Sequence, residues 1–310
     1  MTDTTTMIPT AEVETWHVDV DFDVAREPEP VVEIAKPHVV ATILRRGLLL
    51  FAAVVAAFLI FGLWLSGLEH ARSQVGLQRR FRAEIASISA PIDGTIAPGA
   101  PVADIRIPRI GVNEVVVEGA RSSQLRAGPG HVVGTPLPGQ PGNAVIAGRR
   151  YLYGGPFEHL GSLHAGDRIA VVTGQGTATY RVTGRAKKVG ATHGSVFADH
   201  GDNRLTLITA DPPLRGSRRL VVTAKLVERP YAATNLSRTL DPEGLGLTGE
   251  RGAIAIVLVW LELLAGLALL TVYATKRWSR WAAWVVFVPG LALVVWLLFD
   301  NAVRLLPATL

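Results

Sequence analysis

The sequence predicts an all-β domain, a closed barrel, held at a membrane by three transmembrane α-helices. Three observations carry that expectation: apolar runs of bilayer length, a long intervening stretch of short β-branched segments, and charge that changes sign along the chain. With 310 residues, 49% hydrophobic and 18% charged, the chain is too apolar to be a disordered tail or a nucleic-acid peptide. It contains no cysteine, which excludes disulfides, thiolate metal sites and a thiol nucleophile. Residues 1–40 hold nine acids against two bases, whereas residues 69–252 hold 23 bases against 15 acids. The two regions are therefore expected to face different compartments.

The candidate spans are 47–68, 253–274 and 281–299, each close to the roughly 20 helical residues that a bilayer takes. None holds a lysine or arginine. Arg45 and Arg46 precede the first, while Lys276, Arg277 and Arg280 fill the loop between the other two. The positive-inside rule then places residues 1–40 in the cytoplasm as an acidic, unstructured tail, and the β domain outside. The tail is too long and acidic for a signal peptide, so the first span reads as a retained anchor. Tyr273, Trp278, Trp281 and Trp284 resemble an interfacial aromatic belt, and Pro289 should kink the third span. Glu262 lies near the middle of the second span, where an ionised carboxylate against lipid is costly; it is expected to be neutral or to face protein, as an interface residue.

Residues 69–90, with Arg79, Arg80 and Arg82, read as a juxtamembrane helix or stalk. The β domain occupies 91–228, with strands expected at 114–117, 143–147, 168–173, 177–182, 205–210 and 220–226. A Gly-rich loop at 174–176 joins two of them as a hairpin. An antiparallel barrel would leave no exposed edges. Residues 229–252 mix Pro, Gly, Asn and Asp as a linker, and 300–310 form a short outer C-terminus.

The order of blocks in this domain resembles the sortases, membrane-anchored cysteine transpeptidases of Gram-positive bacteria, and most closely their class E. The likeness covers 105–226. It runs through Ile107-Pro108-Arg109-Ile110-Gly111-Val112, Gly128-Pro129-Gly130-His131, and Gly134-Thr135-Pro136-Leu137-Pro138-Gly139-Gln140-Pro141-Gly142-Asn143. Beyond these lie Ile146-Ala147-Gly148, Gly155-Pro156-Phe157, Leu205-Thr206-Leu207-Ile208-Thr209 and Arg219-Leu220-Val221-Val222. The resemblance implies a closed barrel that cleaves a Leu-Pro-x-Thr-Gly type sorting signal and passes the acyl group to an amine. It also implies a cysteine nucleophile, a histidine for protons and an arginine at the oxyanion.

At the corresponding positions this chain has Ala210 for the cysteine and Arg149 for the histidine; Arg218 and Arg219 both remain open as the arginine. Ala210 has no nucleophile, and a guanidinium does not act as a general base near neutral pH. Strand alternation should aim Thr209 away from the side of Ala210; Ser217 has no evident base. His131, His164, His193 and His200 are candidate substitute bases, with His131 nearest the motif blocks. Asp211 is expected to pair with Arg149 across the vacated positions.

The expectation drawn from these replacements is a chain that is not an enzyme: a binding or scaffold subunit of a cell-envelope complex. Its ligand-facing residues would be Arg149, Asp211, Arg218, Arg219 and His131. Its partners would be other membrane or envelope subunits, an extended sorting-signal-like peptide, or an anionic lipid or polymer drawn to the basic outer domain. No cofactor, metal or nucleic acid is expected. The alternative is a transpeptidase or hydrolase with a non-cysteine nucleophile.

Overall fold

The structure is a computed structural model and describes residues 37–190, 194–211, 218–233, 250, 252–278 and 280–309. The expected acidic tail, most of the linker, His193 and Ser217 lie outside the described residues. Residues 52–310 form one compact unit.

A helical run opens the chain: α1 (Pro37–Ile60), a π-helical turn (Phe61–Leu65) and α2 (Ser66–Ala86). Two helices follow the β domain, α3 (Ala253–Arg277) and α4 (Arg280–Val303). Among the described residues two helices, not three, are long and apolar enough to cross a membrane: Ala253–Arg277 and Trp281–Val303. The apolar run expected as the first span, 47–68, falls on the end of α1, the π turn and the start of α2, and the backbone ladder changes period at that turn. Glu262 is exposed on α3.

Among the described residues nine strands make one sheet: β1 (Pro101–Ile107), β2 (Val112–Glu118), β3 (Gly130–His131), β4 (Asn143–Ala147), β5 (Arg168–Thr173), β6 (Gly176–Val182), β7 (Lys187–Gly190), β8 (Arg204–Asp211) and β9 (Arg218–Leu226). Their order is β6-β5-β1-β2-β3-β4-β8-β9-β7, and β6 also pairs with β9. Eight strands thus close into a barrel, with β7 added alongside β9. The barrel is not wholly antiparallel as expected, because β2–β3 and β4–β8 run parallel. A parallel neighbour needs a long crossover, and the 56 residues from Gly148 to Asn203 supply it between β4 and β8 by way of β5, β6 and β7.

Alternation along β4, β8 and β9 sorts side chains onto two faces. Ala144, Ile146, Leu205, Leu207, Leu220 and Val222 fill the barrel interior. Val145, Ala147, Ile208 and Val221 face outward into a second apolar cluster, roofed by Leu125, Val132 and Phe197. This outward face is where the site forms. The helices dock through polar contacts: Gln74 bonds both backbone groups of Val115 within reach and Ala127 O, and Arg126 is held by Glu69 and Asp300. Phe61 packs edge-on against Trp296 beside Leu152 and Tyr153.

Gly148, immediately after β4, lies so close to the buried Phe157 that an added Cβ would stand 2.4 Å from the ring. Gly148→Ala is expected to lower stability by about 1–3 kcal/mol through overpacking, read from the midpoint of a denaturant titration.

Candidate functional site

The site is set by where three strands end. β4 and β8 run parallel with Ala147 opposite Ile208, so Arg149 and Ala210 emerge together at one rim. β9 returns antiparallel and sets Arg219 opposite Ala210 and Arg218 opposite Asp211. Arg219 shares the outward face with Val221 and is only 2% exposed, while Arg218 is solvent-exposed. Register therefore selects Arg219 as the arginine beside Ala210.

Arg149 is fully buried. Its Nη2 donates to the Ser122 carbonyl at 3.0 Å and hydroxyl at 2.9 Å, its Nε donates to Leu125 O at 3.2 Å, and its guanidinium lies 4.8 Å from the centre of the Tyr153 ring. Burial, only partly offset by its neighbours, pulls its pKa down to about 10, so it stays a cation at neutral pH. The turn carrying Ser122 and Leu125 thus accepts Arg149 as a structural pin.

Arg219 is different. Its guanidinium stacks 4.7 Å from the Phe197 ring centre, yet Nε and Nη1 have no hydrogen-bond partner among the described residues. Burial lowers its pKa to about 10. Arg149 Nη1 is likewise without a partner. Buried donors left unpaired cost free energy.

The expected Asp211–Arg149 pair is not formed. Asp211 instead binds Arg150 Nη1 at 3.0 Å and Lys188 Nζ at 3.1 Å, because the end of β8 meets the chain just past Gly148 and the long Lys188 side chain reaches it across β9 from β7. Burial works against its charge, but these two cations win and hold its carboxyl below the ordinary range. Arg150 Nη1 also donates to Ala210 O at 2.9 Å. Thr209 lies on the alternate face and donates to Gly148 O at 2.8 Å, tying β8 to β4.

His131 is not a ligand-facing residue as expected. It is fully engaged: Nδ1 donates to Glu118 Oε2 at 2.8 Å, and Nε2 lies 3.0 Å from both Pro136 O and Thr135 Oγ1. Burial opposes its charge, but the Glu118 carboxylate overcomes this and raises its pKa. It ties β3 to the loop before β4. His164 is exposed, and His200 bonds Ser195 O.

A further contact on the groove escaped the sequence reading. Residues past α4 enter it: Ala308 belongs to the outward apolar cluster, and the Arg150 backbone N–H donates to Thr309 O at 3.0 Å. Ala308 and Thr309 are 1% and 2% exposed. The signal in the sequence was the order Leu306-Pro307-Ala308-Thr309 itself.

Residues 105–227 match the sortase domain. Over 150 residues the chain is 29% identical to sortase SrtE1 of Streptomyces coelicolor, covering 44% of this chain and 43% of that one. Over 124 residues it is 31% identical to sortase A of Bacillus anthracis, covering 40% and 58%. The chain thus spans about half the length of the curated relatives it matches. Sortase E of Streptomyces avermitilis aligns structurally at 33% identity, covering 44% of this chain and 93% of that one, with a TM-score of 0.40.

Residues 105–227 of the β domain thus match a sortase domain, and sortases are an enzyme family. This overturns the expectation that the chain is not an enzyme. Ala210 and Arg149 speak only to the thiol–imidazole route, whereas the domain match points to a family of transpeptidases.

The His131–Glu118 pair predicts a pH dependence. A raised histidine pKa contributes stability that is fully present below about 6.5 and is lost as pH rises through the folded value. Glu118→Gln should cost about 3–5 kcal/mol at pH 6 and flatten the loss of stability on going to alkaline pH, measured by denaturant titration across that range.

Proposed function

We propose that the groove over β4, β8 and β9 is a receptor for extended Leu-Pro-x-Thr type peptides, with Arg219 as the group that meets the peptide carbonyl. The observation that carries this is the buried Arg219 guanidinium, with two donors unpartnered among the described residues, opposite Ala210 on an apolar floor. Extended peptides suit such a groove: the backbone supplies acceptors, and alternate side chains fill the apolar pockets. Residues 105–227 as a sortase domain support sorting-signal peptides as the ligand class. In this reading Arg149, in the position the resemblance gives to the histidine, fixes the roof turn through Ser122 and Leu125. The pattern at these positions, degenerate relative to the class E-like blocks, shifts the weight of the site toward recognition.

The chain acts from a membrane, anchored by α3 and α4, with the basic β domain on the outer face and the Lys276–Arg277 end of α3 toward the cytoplasm. There it serves as a peptide-binding subunit of a cell-envelope assembly. A second reading follows from the enzyme family: peptide transfer by a nucleophile other than cysteine. Thr209 Oγ1, which donates to Gly148 O and lies 3.5 Å from the Thr309 carbonyl oxygen, is the hydroxyl this reading would assign.

Binding of a labelled Leu-Pro-Ala-Thr-Gly peptide by the full chain in nanodiscs, against a scrambled peptide, tests the proposal. Arg219→Met is expected to weaken binding at least about 10-fold, roughly 1.4 kcal/mol. The same change should raise stability by about 1–4 kcal/mol, since it removes an uncompensated buried charge. Equal binding of both peptides would refute the receptor reading. Mass analysis of the incubated peptide separates the two readings, because a cleaved Thr-Gly bond favours transfer.

A further inference from the structure

Helix α4 ends at Val303, and the chain then turns. Arg304 is fixed by Glu250, its Nε donating to Oε2 at 2.9 Å, and the Leu306 N–H donates to Val303 O at 3.1 Å. Leu306 packs with Phe61, Leu152 and Tyr153 on the helix side of the groove. Ala308 then drops into the apolar cluster of Val145, Ala147, Ile208 and Val221 beneath Leu125 and Phe197. The Thr309 carbonyl accepts the Arg150 N–H, directly beyond Arg149. The segment therefore lies against both strand ends that position Arg149 and Ala210.

We propose that Leu306–Thr309 is a resident intramolecular ligand of this groove, which an incoming peptide must displace. The proposal rests on the peptide-receptor reading above for what displaces it. Two features fit a resident rather than a permanent strand. The segment reads Leu-Pro-Ala-Thr, the residue order proposed for the incoming ligand. It also leaves polar groups unsatisfied: Thr309 Oγ1, Arg219 Nε and Nη1, and Arg149 Nη1 are buried without partners among the described residues. A peptide that seats an acceptor on Arg219 gains hydrogen bonds that the resident does not make, which works against the resident's advantage in effective concentration.

The absence of cysteine makes the test clean. Single thiols are introduced as Ala308→Cys and, three residues upstream where the side chain is 37% exposed, Leu305→Cys. Maleimide labelling rates are measured on each full chain in nanodiscs. If the segment is docked, Cys at 308 reacts at least about 10-fold more slowly than at 305, because labelling waits on local opening. Equal rates at the two positions would overturn the proposal. Adding excess Leu-Pro-Ala-Thr-Gly peptide separates the two claims. Acceleration at position 308 alone supports displacement, whereas sustained protection at 308 without acceleration by peptide leaves the resident docked and sinks the peptide-receptor reading instead.

Discussion

The parallel pairing of β4 with β8 is the constraint on which the site depends. Two strands that run side by side end at the same rim, so Arg149 and Ala210, 61 positions apart in sequence, leave the sheet together. β9 then crosses antiparallel and delivers Arg219 opposite Ala210. A slip of one residue in either pairing would turn Arg219 and Val221 toward the barrel interior and Leu220 toward the groove. The interior packing of Leu205, Leu207, Leu220 and Val222 opposes that slip, so the core fixes the site as well as the fold.

Two buried guanidinium groups divide the work at the groove. Arg149 is caged by the Ser122–Leu125 turn and the Tyr153 ring, and Tyr153 itself adopts a positive φ of 51° to meet it. That strained backbone is sustained by close packing around 152–154, where an added Cβ on Gly154 would stand 2.6 Å from His70. Arg219 stacks on the Phe197 ring, and among the described residues its Nε and Nη1 have no hydrogen-bond partner. One cation is thus built into the scaffold, and the other is left with hydrogen-bonding capacity unspent. Such an arrangement lowers stability.

Much of the fold was legible. The β-branched segments at 143–147, 168–173, 205–210 and 220–226 fall within β4, β5, β8 and β9, since alternation on a two-faced barrel wall leaves its period in the text. β3, two residues long, and β7, with Lys187 and Lys188, carry too little apolar pattern to be seen. The parallel pairings were not legible either, because strand direction depends on the crossover rather than on local composition. At the site, the motif order located Arg149 and Ala210, but only the β8–β9 register separates Arg219 from Arg218. The pairing of Asp211 with Arg150 and Lys188 instead of Arg149 likewise follows from which side of the rim each chain leaves. Leu306–Thr309 read as a short terminal stretch because periodicity reports neighbours along the chain, and its partners at Arg150 and Ile208 lie far away in sequence.

The claim that Arg219 is the unsatisfied group awaiting a peptide carbonyl is tested most directly by guanidinium nitrogen NMR of the full chain. Titration with a Leu-Pro-Ala-Thr-Gly peptide should move the Arg219 Nε–H resonance downfield as it gains a hydrogen bond, with the Arg149 Nε–H, already bound to Leu125 O, left in place. An Arg219 resonance that stays fixed while the peptide binds would contradict the account.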